Sequence, residues 1–165
     1  LENKILKALF QNHPYEEVAY DIVTLNNGWD TTGAGMIGDL EHPVETSAFL
    51  SFLKEKMNVK VIRHTRLDIY GKGALINKIS KVAVCGGAGS FLLNDAIAAG
   101  GQAFITADFK YHQFFDAENR IIIADIGHYE SEQFTMEIFA EVLRQKFPTF
   151  AVRFTSVNTN PINYF

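Results

Sequence analysis

The sequence predicts an α/β fold, a layered sheet of largely parallel, buried strands flanked by helices. Three continuous apolar runs, Val82 to Cys85, Ala103 to Thr106 and Ile121 to Ile126, carry that prediction. Strands buried on both faces read as unbroken apolar runs, because neither face meets water. Each run is also followed by a glycine or polar loop and then by helical sequence. Repeated strand, loop and helix is the pattern of a parallel sheet covered by helices.

Taken in chain order, the first helix is expected over residues 2–11, ending in a turn at Asn12, His13 and Pro14, where His13 serves the turn. Residues 17–25 alternate in polarity and predict a half-buried strand. Asn26 to Gly33 is the most loop-like stretch, and the boundary between a small unit, 1–32, and a larger one, 33–165, is placed there. A short strand is expected over 35–40 and a helix from Pro43, which tolerates a helix start because it has no backbone donor to waste. Phe49, Phe52, Leu53 and Met57 recur at helical spacing and are expected to be buried. Residues 59–62 read as a strand, and Arg66 to Asn77 as a polar connection. After the first apolar run, a helix beginning near Ser90 carries Leu92, Leu93, Ala96 and Ile97 and stops at Gly100 and Gly101. After the third, one helix is expected over 131–147 with Phe134, Ile138, Val142 and Leu143 facing inward, closed by Pro148. A last alternating strand is expected over 150–157.

Composition narrows the function classes. The chain has 165 residues, 47% hydrophobic and 21% charged, with a net charge of -4. Lysine and arginine number 15 against 19 acidic residues, so no overall basic field draws in nucleic acid, and none is expected as a partner. The apolar runs are far shorter than the ~20 residues of a membrane-spanning helix, and no signal peptide is read. The single cysteine, Cys85, excludes an internal disulfide and reads as a small core residue, so a cytoplasmic setting is expected. The chain opens on Leu1 and runs straight into helical sequence, which leads us to expect a fragment of a longer protein.

Chemistry is expected where loops leave the carboxyl ends of parallel strands. Three segments qualify: GGAGS at 86–90, ADFKYH at 107–112 and DIGHYESE at 125–132. His128 and Glu132 stand four apart, so one helical turn brings an imidazole and a carboxylate to the same face, where both can reach one ion. The alternative is that Glu132 only complements a helix dipole. Asp108, Lys110 and His112 offer proton transfer or phosphate binding, or Asp108 merely caps a helix. GGAGS reads as a tight turn in preference to a phosphate cradle, and GAGMIG at 33–38 follows a loop where a nucleotide site needs a buried strand. His64 and Asp68 form another i, i+4 pair, read as solvated.

HPYEEVAYDI, GAGMIGDL, KVAVCGGAGSFL, FITADFKYHQFFDA, IIIADIGHYESEQF and TNPINYF together resemble, in order, the carboxy-terminal part of the NIF-three-like family, also called GTP cyclohydrolase 1 type 2 homologues or dinuclear metal centre proteins. The resemblance covers nearly the whole chain. It implies the second half of an α/β core that holds two divalent metal ions per intact subunit (zinc, manganese or iron) and assembles into a ring-like hexamer. Residues 1–32 then correspond to half of a ferredoxin-like insert of PII/CutA type. The family's late ligands fall on His128 and Glu132. Its HHP motif is absent here, and RHTRLD at 63–68 lies on the wrong side of the insert to supply its other ligands. The function implied is a metal-dependent hydrolase acting on a small molecule or nucleotide, with Asp108, Lys110 or His112 orienting substrate or moving protons and this chain inactive alone. The alternative is a non-enzymatic metal-binding scaffold or regulatory oligomer.

Overall fold

A computed structural model describes residues 2–23, 32–66 and 77–165. The chain divides into two units, 1–32 and 33–165. In the first, helix α1 (Glu2–Asn12) closes with His13 N–H on the Leu9 carbonyl, 2.9 Å, and the Asn12 side chain on the Ala8 carbonyl, 2.8 Å. The His13 ring accepts the Tyr15 N–H at 3.1 Å, a turn role as expected. Residues 18–23 join no ladder, in contrast to the predicted strand, whose last two residues lie outside those described. Alternation makes a strand only where a partner supplies hydrogen bonds.

The second unit is built on β1 (Met36–Glu45), α2 (Thr46–Lys56), β2 (Arg63–His64), β3 (Lys78–Ala88), α3 (Leu93–Ala98), β4 (Ala103–Ala107), β5 (Ile122–Asp125), α4 (His128–Glu132) and α5 (Thr135–Lys146). The five strands form one sheet in the order β1-β3-β4-β5-β2. β3, β4 and β5 are parallel, as their apolar runs predict, and the edge strands β1 and β2 are antiparallel to their neighbours. Alternate residues face opposite sides of a strand. Ala103, Ile105, Ile122 and Ala124 therefore join Phe49 and Leu53 of α2 on one face, while Phe104 and Ile123 join Leu93 and Ala96 of α3 on the other. Each fully buried isoleucine contributes roughly 2–3 kcal/mol of transfer free energy.

Several boundaries depart from the predictions. Pro43 lies inside β1, not at a helix start: the β1–β3 register breaks between Asp39 and Val44, and an edge strand tolerates the missing donor there. Phe52 is exposed, while Phe49 and Leu53 are buried as expected. Val59 is buried and closes α2 through its N–H on Lys54 O at 3.0 Å, so pairing begins four residues later, at Arg63. The segment at Ser90 starts as a 3-10 turn (Ser90–Leu92) before α3. The single helix expected over 131–147 is two, α4 and α5, and Phe134, Ile138, Val142 and Leu143 are exposed; of α5 only Ala140 is buried. Residues 150–157 form no strand. The connection expected over 66–77, and Asp68 with it, lies mostly outside the described residues. Among the described residues no helix is long and apolar enough to cross a membrane.

Candidate metal centre

Three loops meet at the carboxyl ends of β3, β4 and β5. After β5, Gly127 at φ 95° turns the chain into α4, which places His128 and Glu132 one turn apart on one face. After β4, Asp108 takes the left-handed conformation, φ 58°. Near the end of β3, Gly87 has φ 64°; its N–H donates to Ser131 Oγ at 2.8 Å, and its carbonyl accepts the Thr106 hydroxyl at 3.1 Å. Ser131 in turn donates to the His128 carbonyl, 2.8 Å. Gly87 is thus fastened against α4.

Beneath these loops, the Asp125 side chain is only 2% exposed and fully occupied. It accepts the Phe109 N–H at 2.9 Å and the Gly127 N–H at 3.1 Å, and pairs with Arg63 of β2. The same Arg63 nitrogen donates to the Phe109 carbonyl, 3.0 Å. Phe109, the residue that follows Asp108, is therefore clamped at both its N–H and its carbonyl from two neighbouring strands.

Above the clamp, His128 Nδ1 lies 2.6 Å from Asp108 Oδ2, and His128 Nε2 lies 3.5 Å from Glu132 Oε2. All three side chains are about half exposed. The hydrogen bond to Asp108 is the main influence raising the His128 pKa above 6.5; partial burial opposes it, and the charges of Asp108 and Glu132 add to the rise. An ionised carboxylate only accepts. A neutral His128 that donates from Nδ1 to Asp108 consequently turns a bare Nε2 toward Glu132, another acceptor. Two acceptors face each other stably with a proton, a cation or a bridging water between them.

The donor set fits a cation. Two ligands each about 2.1 Å from a tetrahedral zinc ion lie about 3.4 Å apart, close to the 3.5 Å found. Room beside them depends on glycine: a Cβ on Gly87 would come within 2.6 Å of Glu132 Oε1 and 3.3 Å of His128 Nε2. In number the set falls short, since zinc takes at least three protein ligands. Among the described residues no group of three or more His, Cys, Asp or Glu is assembled for a metal.

The other expected site residues are placed differently. Lys110 and His112 are exposed, at the entry and in the body of the 3-10 segment Tyr111–Ala117. The Lys110 N–H is capped by the Gln113 side chain at 2.8 Å, and the His112 ring packs edge-on against Tyr111, 5.2 Å between centroids. Neither is joined by a hydrogen bond or ion pair to His128, Asp108 or Glu132 among the described residues. Cys85 is buried, and burial above all holds its thiol pKa up, with the Thr106 hydroxyl pulling it down and the Glu132 charge adding to the rise. His64 is exposed, its ring against the Thr65 carbonyl at 2.8 Å. Gly33 to Gly38 runs into the edge strand β1; a Cβ on Gly35 would meet the Val84 carbonyl at 2.8 Å, whereas one on Gly38 would meet no atom within 4 Å. A cleft of about 720 Å³ lies along β2 and the 3-10 segment, lined by Arg63, Thr65, Tyr111, Phe114 and Phe115; His128, Asp108 and Glu132 do not line it. Sequence reading missed Gly87, Ser131, Asp125 and Arg63. An acid inside the apolar run 121–126 was the one signal for Asp125, and Arg63 carried none.

Fold and site define a class: an α/β protein with a histidine and a carboxylate paired where its parallel strands end. The chain belongs to the Duf34/NIF3 (NGG1p interacting factor 3) family, whose model matches residues 2–161. A Mycobacterium leprae protein named GTP cyclohydrolase 1 type 2 homolog is 35% identical over 162 residues, covering 96% of this chain and 41% of the relative. A Halalkalibacterium halodurans protein of the same name is 32% identical over 167 residues, covering 99% and 43%. The chain thus spans about two fifths of the length of these curated relatives. Among solved structures, a Bacillus cereus protein related to NIF3 superposes with a TM-score of 0.67 at 32% identity, covering 99% of this chain and 44% of that one. A Staphylococcus aureus protein, TM-score 0.71 at 24% identity over 99% of this chain and 46% of its own, shares the fold.

Proposed function

We propose that His128 and Glu132 are two ligands of a divalent-metal centre, and that the intact protein is a metal-dependent hydrolase of the kind its relatives are named for, with a purine nucleotide such as GTP as substrate. The observation that carries this reading is the approach of His128 Nε2 to Glu132 Oε2, 3.5 Å, beside Gly87, where an added Cβ would press on the Glu132 carboxylate. When bound, a divalent cation (zinc, manganese or iron) supplies Lewis acidity and makes water nucleophilic near neutral pH. His128 offers the Nε2 lone pair and Glu132 a carboxylate oxygen. Lys110 and His112, exposed on the segment that follows Asp108, would hold substrate phosphate or carry a proton in this reading.

Two ligands do not complete a site, so the remaining donors come from elsewhere in the full-length protein. The same reading includes two cations per subunit, a ring-like hexamer, a cytoplasmic setting and a ferredoxin-like insert to which residues 1–32 contribute. The test is metal analysis of the full-length protein purified without chelator, beside His128→Ala and Glu132→Ala. Near-stoichiometric zinc, manganese or iron that falls sharply in both variants is expected. Unchanged metal content would overturn the reading, and metal retained without GTP turnover would point to the non-enzymatic scaffold.

A further inference from the structure

Building on that metal-centre reading, we infer that Asp108 is a positioning residue for His128: it accepts the Nδ1 proton and so fixes the tautomer whose Nε2 lone pair faces Glu132. The 2.6 Å contact from His128 Nδ1 to Asp108 Oδ2 requires hydrogen on Nδ1, because the carboxylate has none to give. A ligating imidazole held in this way keeps its orientation and gains basicity at the other nitrogen.

Stability alone does not select an aspartate here over glycine or asparagine. At φ 58° any residue with a Cβ costs roughly 1–2 kcal/mol more than glycine. An ion pair between half-exposed groups returns at most about 1 kcal/mol. Folding alone would therefore favour glycine; asparagine and aspartate, whose short polar side chains tolerate this conformation, are alike in that respect. The conformation is nevertheless imposed on Asp108: Phe109, the next residue, has its N–H on Asp125 and its carbonyl on Arg63. What the aspartate adds is its carboxylate against His128. Lys110 and His112, two and four residues on, have no such contact among the described residues.

The experiment uses zinc alone as probe, with nitrogen-15 spectra of the His128 ring recorded at alkaline pH, where the imidazole is neutral. The expected wild-type spectrum has hydrogen on Nδ1. Asp108→Gly relieves the backbone, so its melting temperature should hold or rise while zinc affinity falls roughly 10–100-fold and the ring becomes a mixture of tautomers. Asp108→Asn, whose side-chain oxygen still accepts, should keep the Nδ1–H form and recover most of the affinity. Hydrogen on Nε2 in the wild type, or a glycine variant with unchanged tautomer and zinc affinity, would overturn the inference. If His128→Ala leaves zinc affinity unchanged while Asp108→Gly still shifts the tautomer, the Asp108 role stands and the metal-centre reading falls.

Discussion

Gly87 and Gly89 stand two residues apart, yet each excludes a side chain for a different reason. An added Cβ at Gly89 would lie 2.2 Å from Thr106 Oγ1 and 2.9 Å from Cys85 Cβ, both in buried residues with nowhere to move. Overpacking of that kind costs about 1–3 kcal/mol. At Gly87 the steric obstacle is the tip of the half-exposed Glu132, which can swing aside, while φ 64° adds roughly 1–2 kcal/mol of backbone strain. Calorimetry should accordingly show a lower melting temperature for both alanine variants, whereas zinc titration should show lost affinity for Gly87→Ala alone. Equal zinc affinities would separate Gly87 from the proposed metal site. At this scale the legible residues were those whose meaning lies in local spacing, His128 and Glu132 by their i, i+4 step. Arg63 was illegible because its partner, Asp125, is brought near only by the edge pairing of the sheet.

Among the elements, the parallel strands were legible because both of their faces are buried. The misread segments, 17–25, 59–62 and 150–157, have alternating or short apolar patterns whose outcome depends on a neighbouring strand. In α5 the helical period was right, but among the described residues no element covers the face that carries Ile138 and Phe139. The terminal stretch finds another anchor. Asn160 donates to the buried Glu130 of α4 at 3.3 Å, and burial first, then the Glu130 charge, raises the Tyr164 pKa above 10. Because the folded value is the higher one, the neutral hydroxyl contributes stability that is complete below pH 10 and disappears as pH climbs through the folded pKa. Thermal unfolding followed across the alkaline range should therefore show a loss of stability that Tyr164→Phe lessens, and absorbance at 295 nm should show Tyr164 ionising late. A wild-type profile identical to that of the phenylalanine variant would mean that this contact contributes nothing.

For the molecule as a whole, fold class and family were readable because they rest on ordered blocks spread along the chain, while the strand order was not. Nothing local in residues 63–64 announces that they pair with 124–125. That long-range closure has a consequence for the order in which the sheet assembles. Val82 pairs with Ala103, and Ala103 with Ile122, each about twenty positions on, whereas Arg63 pairs with Asp125 more than sixty positions on. Closing the longer loop costs roughly 1 kcal/mol more chain entropy, and only two residue pairs repay it. Hydrogen exchange should then find the β3–β4–β5 amides opening together and last, with the β2 edge opening earlier, in a smaller unit. Arg63 would leave and return with that edge, so the clamp behind Asp108 would be the final part of the sheet to form and the first to let go.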